Sequence, residues 1–215
     1  MKENKTKKYY SKPMEERRNN VLRTARKLIG DHGIDGFTMK QLAHAAGVSG
    51  ATLFNIYTNR ENLINEAVLD AFNTSMGEGV SSTPETLKEL TRYVDWTHEE
   101  IIKLGSYIPI IVNSYFSSAR ENRIREILLR EASAPYIYYL EKYKDRDILR
   151  SSDSVAEFGE LISNQIFSSM KDWSSGRVTN DQLERKLKIS VFTIMIPVIR
   201  KSHREEMSHE LRTLI

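Results

Sequence analysis

The stretch at residues 37–63, FTMKQLAHAAGVSGATLFNIYTNRENL, constrains the fold more than any other part of the sequence. Thr38 is followed three residues later by Gln41, which is the pattern of a capping box at the start of a helix. Gly47 suits the left-handed residue that ends such a helix, and Ser49 can cap a second helix at once. Two short helices joined by so tight a turn are typical of a helix-turn-helix, whose second helix enters the major groove of DNA.

A longer pattern runs through the same stretch: Ala-Gly-Val-Ser-x-x-Thr-Leu-aromatic-x-x-aromatic-x-x-basic-x-x-Leu. It is met by Ala46, Gly47, Val48, Ser49, Thr52, Leu53, Phe54, Tyr57, Arg60 and Leu63. This spacing resembles the signature of the TetR family of transcriptional regulators, and the stretch covers about an eighth of the chain. The resemblance implies an all-α fold of about nine helices. An N-terminal three-helix domain would carry the helix-turn-helix, and a C-terminal helical domain would bind a ligand and dimerise.

The charge of the chain is concentrated at its N-terminal end. Residues 1–62 hold 12 Lys and Arg against 6 Asp and Glu, whereas the remaining residues hold 20 against 23. This asymmetry is expected where one end of a protein meets the phosphates of nucleic acid. We therefore expect a flexible basic arm at 1–12, a helix-turn-helix DNA-binding domain at 13–62, and a helical effector-binding and dimerisation domain at 63–215. The arm either contacts DNA or is only a solvated tail, and the sequence favours neither.

The DNA contacts are expected on the two short helices and at the start of the third. Hydroxyl groups at helix starts suit phosphate oxygens. Asn55 is the best base reader, because an amide can bond adenine in a bidentate manner; the alternative is a solvent-facing polar residue. By the resemblance, Arg60 stands where the family usually has a phosphate-binding Lys, and Phe54 replaces a Tyr but can still meet a thymine methyl. The expected DNA-binding residues are Thr38, Lys40, Ser49, Gly50, Ala51, Thr52, Phe54, Asn55, Tyr57 and Arg60.

The rest of the sequence shows helical periodicity without the alternation of strands. A helix from Arg60 to about Met76 is expected to contribute to both domains and to link them mechanically. A later helix is expected to bend or end at Pro135, because proline cannot continue the hydrogen-bond ladder. Residues 145–153 are charged and are expected to form a loop.

Two final helices are expected, at residues 153–174 and after Thr179. Between Leu187 and Ile199 the last helix is apolar almost all round, so we expect burial on every side. A partner subunit would cover one face, as the four-helix dimer of the family implies; the alternative is a central helix buried within a monomer. The expected dimer interface comprises Phe158, Ile162, Ile166, Leu187, Val191, Ile194, Met195 and Val198.

An effector pocket is expected among the aromatic residues of the C-terminal domain. By the resemblance, a small molecule binds between the helices of this domain, and such pockets are mostly apolar with a few polar groups. The expected lining residues are Phe72, Trp96, Tyr107, Ile111, Tyr115, Phe116, Tyr136, Phe167 and Met170. The alternative for each of them is ordinary core packing.

The sequence contains no arrangement that indicates catalysis. Its 5 His are scattered, and His203 and His209 are six positions apart rather than the four that place two ligands on one helical face. We therefore expect neither an enzyme nor a bound metal or cofactor. The absence of Cys fits a cytoplasmic location, and neither a signal peptide nor a membrane span is expected.

These observations favour a ligand-responsive dimeric DNA-binding transcriptional regulator. We expect a repressor that leaves a palindromic operator when a small apolar or aromatic effector binds. Two alternatives remain open: a DNA-binding dimer without an effector and, less favoured, a nucleic-acid enzyme in which the helix-turn-helix is an accessory. The enzyme would need clustered acidic residues or a serine nucleophile, and the sequence shows neither.

Overall fold

The computed structural model describes residues 11–77, 86–117, 123–150 and 154–214, and most of these residues are helical. The α-helices are α1 (Lys12–His32), α2 (Met39–Ala45), α3 (Gly50–Ile56), α4 (Arg60–Gly77), α5 (Leu87–Leu104), α6 (Ile108–Tyr115), α7 (Arg123–Asp145), α8 (Val155–Ser174), α9 (Asn180–Met195) and α10 (Arg204–Leu214). Within these ranges no strand forms, and an isolated antiparallel bridge joins Leu149 to Ile199. The all-α prediction is therefore confirmed.

The chain divides into two compact units, and the division falls between Val68 and Leu69, inside α4. The expected basic arm lies outside the described residues except for its last two positions. Of these, Ser11 precedes α1 and Lys12 begins it. Pro13 follows in the first turn of α1, where its missing N–H costs nothing because no carbonyl is available to bond it.

The N-terminal unit is built on α1. One face of this helix buries Val21, Leu22, Ala25 and Ile29, whose spacing of three and four residues makes a continuous apolar stripe. The helix packs against α2. Asn20 also donates from its side-chain amide to the Ala46 carbonyl at 2.8 Å, which satisfies a backbone acceptor at the end of α2.

The turn between α2 and α3 forms as the local sequence predicts. Thr38 and Gln41 make the reciprocal capping box at the start of α2. Gly47 has φ of 64°, a left-handed conformation that glycine adopts without strain. It allows the Val48 amide to donate back to the Ala43 carbonyl at 3.0 Å. Ser49 then accepts from the Thr52 amide at 3.0 Å and begins α3.

The C-terminal unit is organised around α8, which packs on α6, α7 and α9. Its contact with α7 is close because small residues occupy the crossing, with Ser133 on α7 and Gly159 and Ser163 on α8 all buried. A Cβ atom added to Gly159 would lie 2.4 Å from Cγ1 of Ile137, well inside van der Waals contact. Glycine is therefore required for this helix pair to approach as it does.

The turn from α8 to α9 is held by polar contacts. Asp172 accepts from Lys186 Nζ at 2.7 Å and from Arg177 Nε at 3.0 Å. These two hydrogen bonds, that of Lys186 first, hold the pKa of the Asp172 carboxyl below its usual 3.8. Trp173 donates from its indole nitrogen to the Asn180 side chain at 2.8 Å, which ties the two helix ends together.

Pro135 does not end α7. Of the two outcomes expected at this proline, a bend or the end of the helix, the second is therefore wrong. The helix continues from Arg123 to Asp145 with the proline inside it. Beyond the proline, Tyr136, Tyr139 and Leu140 are at most 1% exposed. Their burial against the rest of the unit outweighs the cost of one missing backbone hydrogen bond, since tertiary packing rather than local propensity supplies most helical stability.

The last expected helix is also corrected. It ends at Met195 rather than at Ile199, because Pro197 follows in a 3-10 turn, and a further helix, α10, comes after it. Helix α9 packs against α5, α8 and α10. Met207 of α10 is 1% exposed, so α10 itself covers apolar surface. The apolar character of α9 on several faces is thus explained within one chain.

The connection between α7 and α8 was expected to be only a loop. Its described part instead forms a short bridge with the segment after α9, in which Arg150 N donates to Val198 O at 3.1 Å and Arg200 N donates to Ile148 O at 2.8 Å. The Arg200 side chain bonds Asp147 at 2.6 Å on the same side. Leu149 is 3% exposed, because this bridge brings it into the core.

Candidate nucleic-acid interface and internal cavity

Helix α3 presents a row of exposed residues, as expected for a recognition helix. Gly50, Ala51, Phe54 and Asn55 are exposed, and 53% of the Phe54 surface is accessible. An aromatic ring left so open on a short helix is available for apolar contact with a base methyl group. Leu53 on the opposite face is fully buried and anchors the helix to the unit.

The hydroxyl groups at the helix starts are exposed but already take part in caps. Thr38 donates from its hydroxyl to the Gln41 side chain at 2.9 Å. Ser49 Oγ lies 2.9 Å from Thr52 Oγ1, and Thr52 is half-buried. Lys40 is exposed in the first turn of α2. These four residues therefore keep accessible surface at the starts of α2 and α3, where the sequence predicts DNA contacts.

Tyr57 does not lie on this surface. It follows the last residue of α3 in an extended conformation, with φ of −123° and ψ of 110°, and only 2% of it is exposed. This change of backbone direction turns the ring into the core of the unit, where the hydroxyl is buried too. The expectation that Tyr57 contacts DNA is corrected: in this structure it stabilises the end of α3.

Arg60 is engaged within the protein rather than presented to a phosphate. Its guanidinium donates to the carbonyl oxygens of Ile34 and Phe37, the latter at 3.2 Å. It also lies 5.3 Å from the centre of the Phe37 ring and 3.8 Å from the Asp35 carboxylate. The guanidinium thus clamps the loop between α1 and α2, and its expected contact with a phosphate stays a prediction. The signal for this role is weak in the sequence, because the clamped partners are mainly backbone atoms.

A partly open cavity lies in the C-terminal unit, between residues of α4, α5, α7 and α8. Its volume is about 30 Å³, which is room for about two water molecules. It is lined by Phe72, Tyr93, Thr97, Ile101, Glu131, Ala132, Tyr136, Ile166, Phe167 and Met170. The lining is mostly apolar with a few polar groups, which is the usual character of a small-molecule site.

Four of the expected pocket residues line this cavity, namely Phe72, Tyr136, Phe167 and Met170. The other five do not belong to its lining: Trp96, Tyr107, Ile111, Tyr115 and Phe116. Tyr115 instead stacks on the Phe167 ring with 3.8 Å between centroids, so it supports the wall from behind. Phe116 is 45% exposed, with Lys171 Nζ 5.0 Å from its ring centre. Large aromatic residues on helices fill the core as readily as they line a cavity, which explains why only four of the nine expected residues line this one.

Sequence reasoning missed the polar side of the cavity. Tyr93, Thr97 and Ile101 follow one another at four-residue spacing along α5 and so share one face. Thr97 and Glu100 are the two polar residues among the buried positions of α5, and a threonine within that mostly apolar stripe was the available signal. Ile166, which was assigned to the dimer interface, also lines the cavity.

The polar groups of the cavity centre on two tyrosines. The rings of Tyr93 and Tyr136 meet edge to face, with centroids 5.6 Å apart. Burial raises the pKa of both hydroxyls, and for Tyr136 the neighbouring Tyr93 adds to the rise. The side chain of Thr97 lowers the pKa of both tyrosines and so opposes part of the rise. The Thr97 hydroxyl itself donates to the backbone carbonyl of Tyr93 at 2.8 Å. Among the described residues, the buried Tyr136 hydroxyl has no hydrogen-bond partner.

Most of the expected dimer-interface residues are buried inside a single chain. Ile162, Leu187, Val191 and Met195 have no exposed surface, and Ile166 and Val198 have 6% and 1%. A side chain without exposed surface has none to bury against a partner, so the first four assignments are corrected to core, and Ile166 and Val198 have little surface to offer. Phe158 and Ile194 are half-buried and remain available, and Leu161 of α8 is 50% exposed.

Residues 21–67 match the family model described as "Bacterial regulatory proteins, tetR family". The matched segment runs from α1 into α4 and contains the whole helix-turn-helix. The N-terminal unit therefore carries the helix-turn-helix segment that this family model describes. Among curated proteins, the search finds no match.

Several solved structures of TetR-family proteins share the fold of this chain. A Mesorhizobium loti protein assigned to the family is 16% identical with a TM-score of 0.66, and the match covers 88% of this chain and 100% of that one. The Thermus thermophilus repressor FadR, solved with lauroyl-CoA, is 18% identical with a TM-score of 0.65, covering 81% and 93%. The repressor SmeT of a Stenotrophomonas maltophilia multidrug efflux pump is 12% identical with a TM-score of 0.63, covering 86% and 91%.

Within the described residues, no helix is long and apolar enough to cross a membrane. No cluster of three or more His, Asp or Glu side chains there could hold a metal ion.

Proposed function

We propose that this protein is a dimeric transcriptional repressor that binds a palindromic operator and is released by a small apolar or aromatic effector. The observation that carries the proposal is the combination of an exposed α3 in the N-terminal unit with a mostly apolar internal cavity in the C-terminal unit. The first suits a duplex and the second suits a small molecule, and a regulated repressor needs both.

The DNA side of the proposal rests on α3 and its surroundings. Asn55 reads a base edge, the exposed Phe54 ring meets a thymine methyl, and Lys40 and the helix starts contact phosphates. In a two-fold dimer the two copies of α3 would enter successive major grooves about 34–36 Å apart, which requires a palindromic site. Such a site can be found by selecting bound duplexes from a random pool.

The dimer side of the proposal rests on the outward face of α8 and α9. Of the expected set, Phe158 on α8 and Ile194 on α9 keep accessible apolar surface, and Leu161 on α8, which was not among the expected residues, adds to it. A pair of helices from each chain would form a four-helix bundle, with partner side chains covering these positions.

The effector side rests on the cavity. FadR is described in complex with lauroyl-CoA, and another structure of similar fold is the flavonoid-responsive regulator FrrA, 17% identical with a TM-score of 0.58. Here the cavity of about 30 Å³ must widen to admit a ligand of comparable size. Phe72 lines the cavity and Arg60 clamps the α1–α2 loop, and both belong to α4. A ligand that displaces the Phe72 end of this helix would move its other end and weaken DNA binding.

The deciding experiment is a linkage measurement on the full-length dimer. Candidate ligands are titrated by calorimetry with and without the selected operator duplex. We expect the operator to weaken ligand binding by the same factor by which the ligand weakens operator binding, a coupling of about 1–3 kcal/mol. Equal ligand affinity in the two titrations would refute release by that ligand, and failure to select any palindrome would refute the repressor itself.

The second candidate function is a DNA-binding dimer without an effector. The small volume of the cavity favours it, because a void that holds about two water molecules is also compatible with an ordinary packing defect. The same titrations separate the two functions. A constitutive regulator would bind the operator but none of the ligands.

A further inference from the structure

We propose that the cavity takes a neutral ligand that carries a hydrogen-bond-accepting oxygen, such as a ketone or ether, on an otherwise apolar body, and that the Tyr136 hydroxyl recognises this oxygen. The inference rests on the proposed function, because it names the chemical class of the effector for the same cavity.

The first argument concerns the Tyr136 hydroxyl. Tyr136 is 1% exposed and lines the cavity, and its hydroxyl makes no hydrogen bond of normal length and angle with a described residue, although Thr97 lies close enough to act on its pKa. A buried hydroxyl that lacks a protein partner destabilises a fold, because it gives up its bonds to solvent. Phenylalanine would fill the same volume without this cost. The hydroxyl is therefore suited to a partner that enters the cavity, and as a donor it favours an acceptor oxygen.

The second argument concerns charge. Among the ten lining residues, all of them described, there is no Lys or Arg, and Glu131 is the one carboxylate. Glu131 is already bonded by the Arg130 side chain at 2.7 Å and 3.1 Å. A carboxylate ligand would leave water without gaining a cation in the lining, and it would lie near Glu131. Both effects disfavour an anion, since a buried charge needs a partner.

The third argument concerns the remaining walls. Phe72, Ile101, Ile166, Phe167 and Met170 offer only apolar surface. Met170 is unbranched and flexible, so it can move to enlarge the cavity. Phe167 is held in place by the stacked Tyr115 ring. One polar contact beside several apolar walls fits a ligand with a single oxygen and an alkyl or aryl body.

The test compares three matched classes of probe on the full-length protein. They are alkyl and aryl methyl ketones of graded size, the hydrocarbons in which a methylene replaces the carbonyl oxygen, and the carboxylates of the same length. Binding is measured by calorimetry without DNA. We expect ketones to bind roughly fivefold more tightly than the matched hydrocarbons, which is the typical contribution of one hydrogen bond. Carboxylates should bind more weakly than either.

Two variants identify the recognising group. Tyr136→Phe should remove the roughly fivefold advantage of the ketones and leave hydrocarbon binding unchanged. It should also melt no lower than the original chain, since no protein bond is lost. Tyr139→Phe is the matched control, because Tyr139 is equally buried on α7 but bonds Tyr143 and does not line the cavity. The control should leave the preference for ketones intact.

Carboxylates that bind as tightly as ketones would overturn the inference, as would a ketone preference that survives Tyr136→Phe. A lowered melting temperature of Tyr136→Phe would also overturn it, because the hydroxyl would then have a structural bond. If no probe of any class binds while operator binding is intact, the ligand inference fails and the DNA-binding function stands. If ketones bind as expected but do not release the operator, the ligand class stands and the proposed induction fails.

Discussion

Replacement of Arg60 distinguishes a clamp within the protein from a contact with DNA. Its guanidinium bonds the Ile34 and Phe37 carbonyls, and its side chain is 35% exposed. A hydrogen bond to a charged group contributes about 1.5–3 kcal/mol when well buried, and solvent can replace part of it here. We therefore expect Arg60→Ala to lower the free energy of unfolding of the N-terminal unit by about 1–2 kcal/mol.

The salt dependence of operator binding provides the decisive assay. Each phosphate neutralised by a cation contributes about 0.9 to the slope of log affinity against log salt concentration. If Arg60 binds the loop, Arg60→Ala should weaken DNA binding without changing this slope. Lys40→Ala is the matched control: Lys40 is exposed beside α3, so its removal should reduce the slope by about 0.9 and leave the melting temperature unchanged.

Arg60→Lys sharpens the comparison because it keeps the charge but loses the planar fork that can bond two carbonyls at once. The clamp predicts that Arg60→Lys melts nearly as low as Arg60→Ala. A phosphate contact predicts instead that Arg60→Lys behaves like the original chain while Arg60→Ala loses about 0.9 of slope. That second pattern, with unchanged melting, would refute the clamp.

Three further predictions concern the C-terminal unit. Gly159→Ala should lower the free energy of unfolding by about 1–3 kcal/mol in urea denaturation, because its Cβ meets Ile137, and adding Ile137→Ala should recover part of the loss; strict additivity would contradict the close approach. Leu161→Glu should yield monomers in light scattering, because it places a charge on an accessible apolar position of the proposed interface, whereas Phe116→Glu should not; an intact Leu161→Glu dimer would remove this face from the interface. Asp172→Asn should destabilise the protein at neutral pH, since the folded state holds the pKa of the Asp172 carboxyl below 3.8. The stabilisation by Asp172 is present above that value and is lost as pH falls through the lowered pKa. A difference in unfolding free energy between Asp172→Asn and the original chain that stays constant into acid would refute this prediction.

The helix-turn-helix could be predicted because its determinants are local. The capping box of Thr38 and Gln41 and the left-handed Gly47 each act over three or four residues, and the structure contains both. Tyr57 and Arg60 belong to the same sequence pattern, but their side chains are placed by the core and by the α1–α2 loop. A spacing pattern specifies where a residue stands along the chain, and not whether tertiary packing leaves it exposed.

The errors in the C-terminal unit have a common physical cause. The apolar faces of α9 predict burial on every side, whereas the structure leaves Thr193 exposed and Ile194 half-buried. The sequence does not say whether a covering surface comes from the same chain or from a partner. Helix α10, which packs on α9, was missed because it buries little, with Met207 as its one residue below a tenth exposed. Thr97 was missed as a cavity residue, because cavity walls and core faces have the same periodicity.

The bridge between Leu149 and Ile199 also supplies a native reporter for hydrogen exchange. Arg150 N and Arg200 N are bonded outside any helix, and Arg200 lies 51 positions along the chain from Leu149. Fraying of a helix end does not expose these two amides, whereas separation of the α7–α8 connection from the end of α9 does. Their exchange rates therefore measure how often the α7–α8 connection separates from the segment after α9. A ligand or partner that holds these two segments together should slow both amides by the same factor, even where it contacts neither.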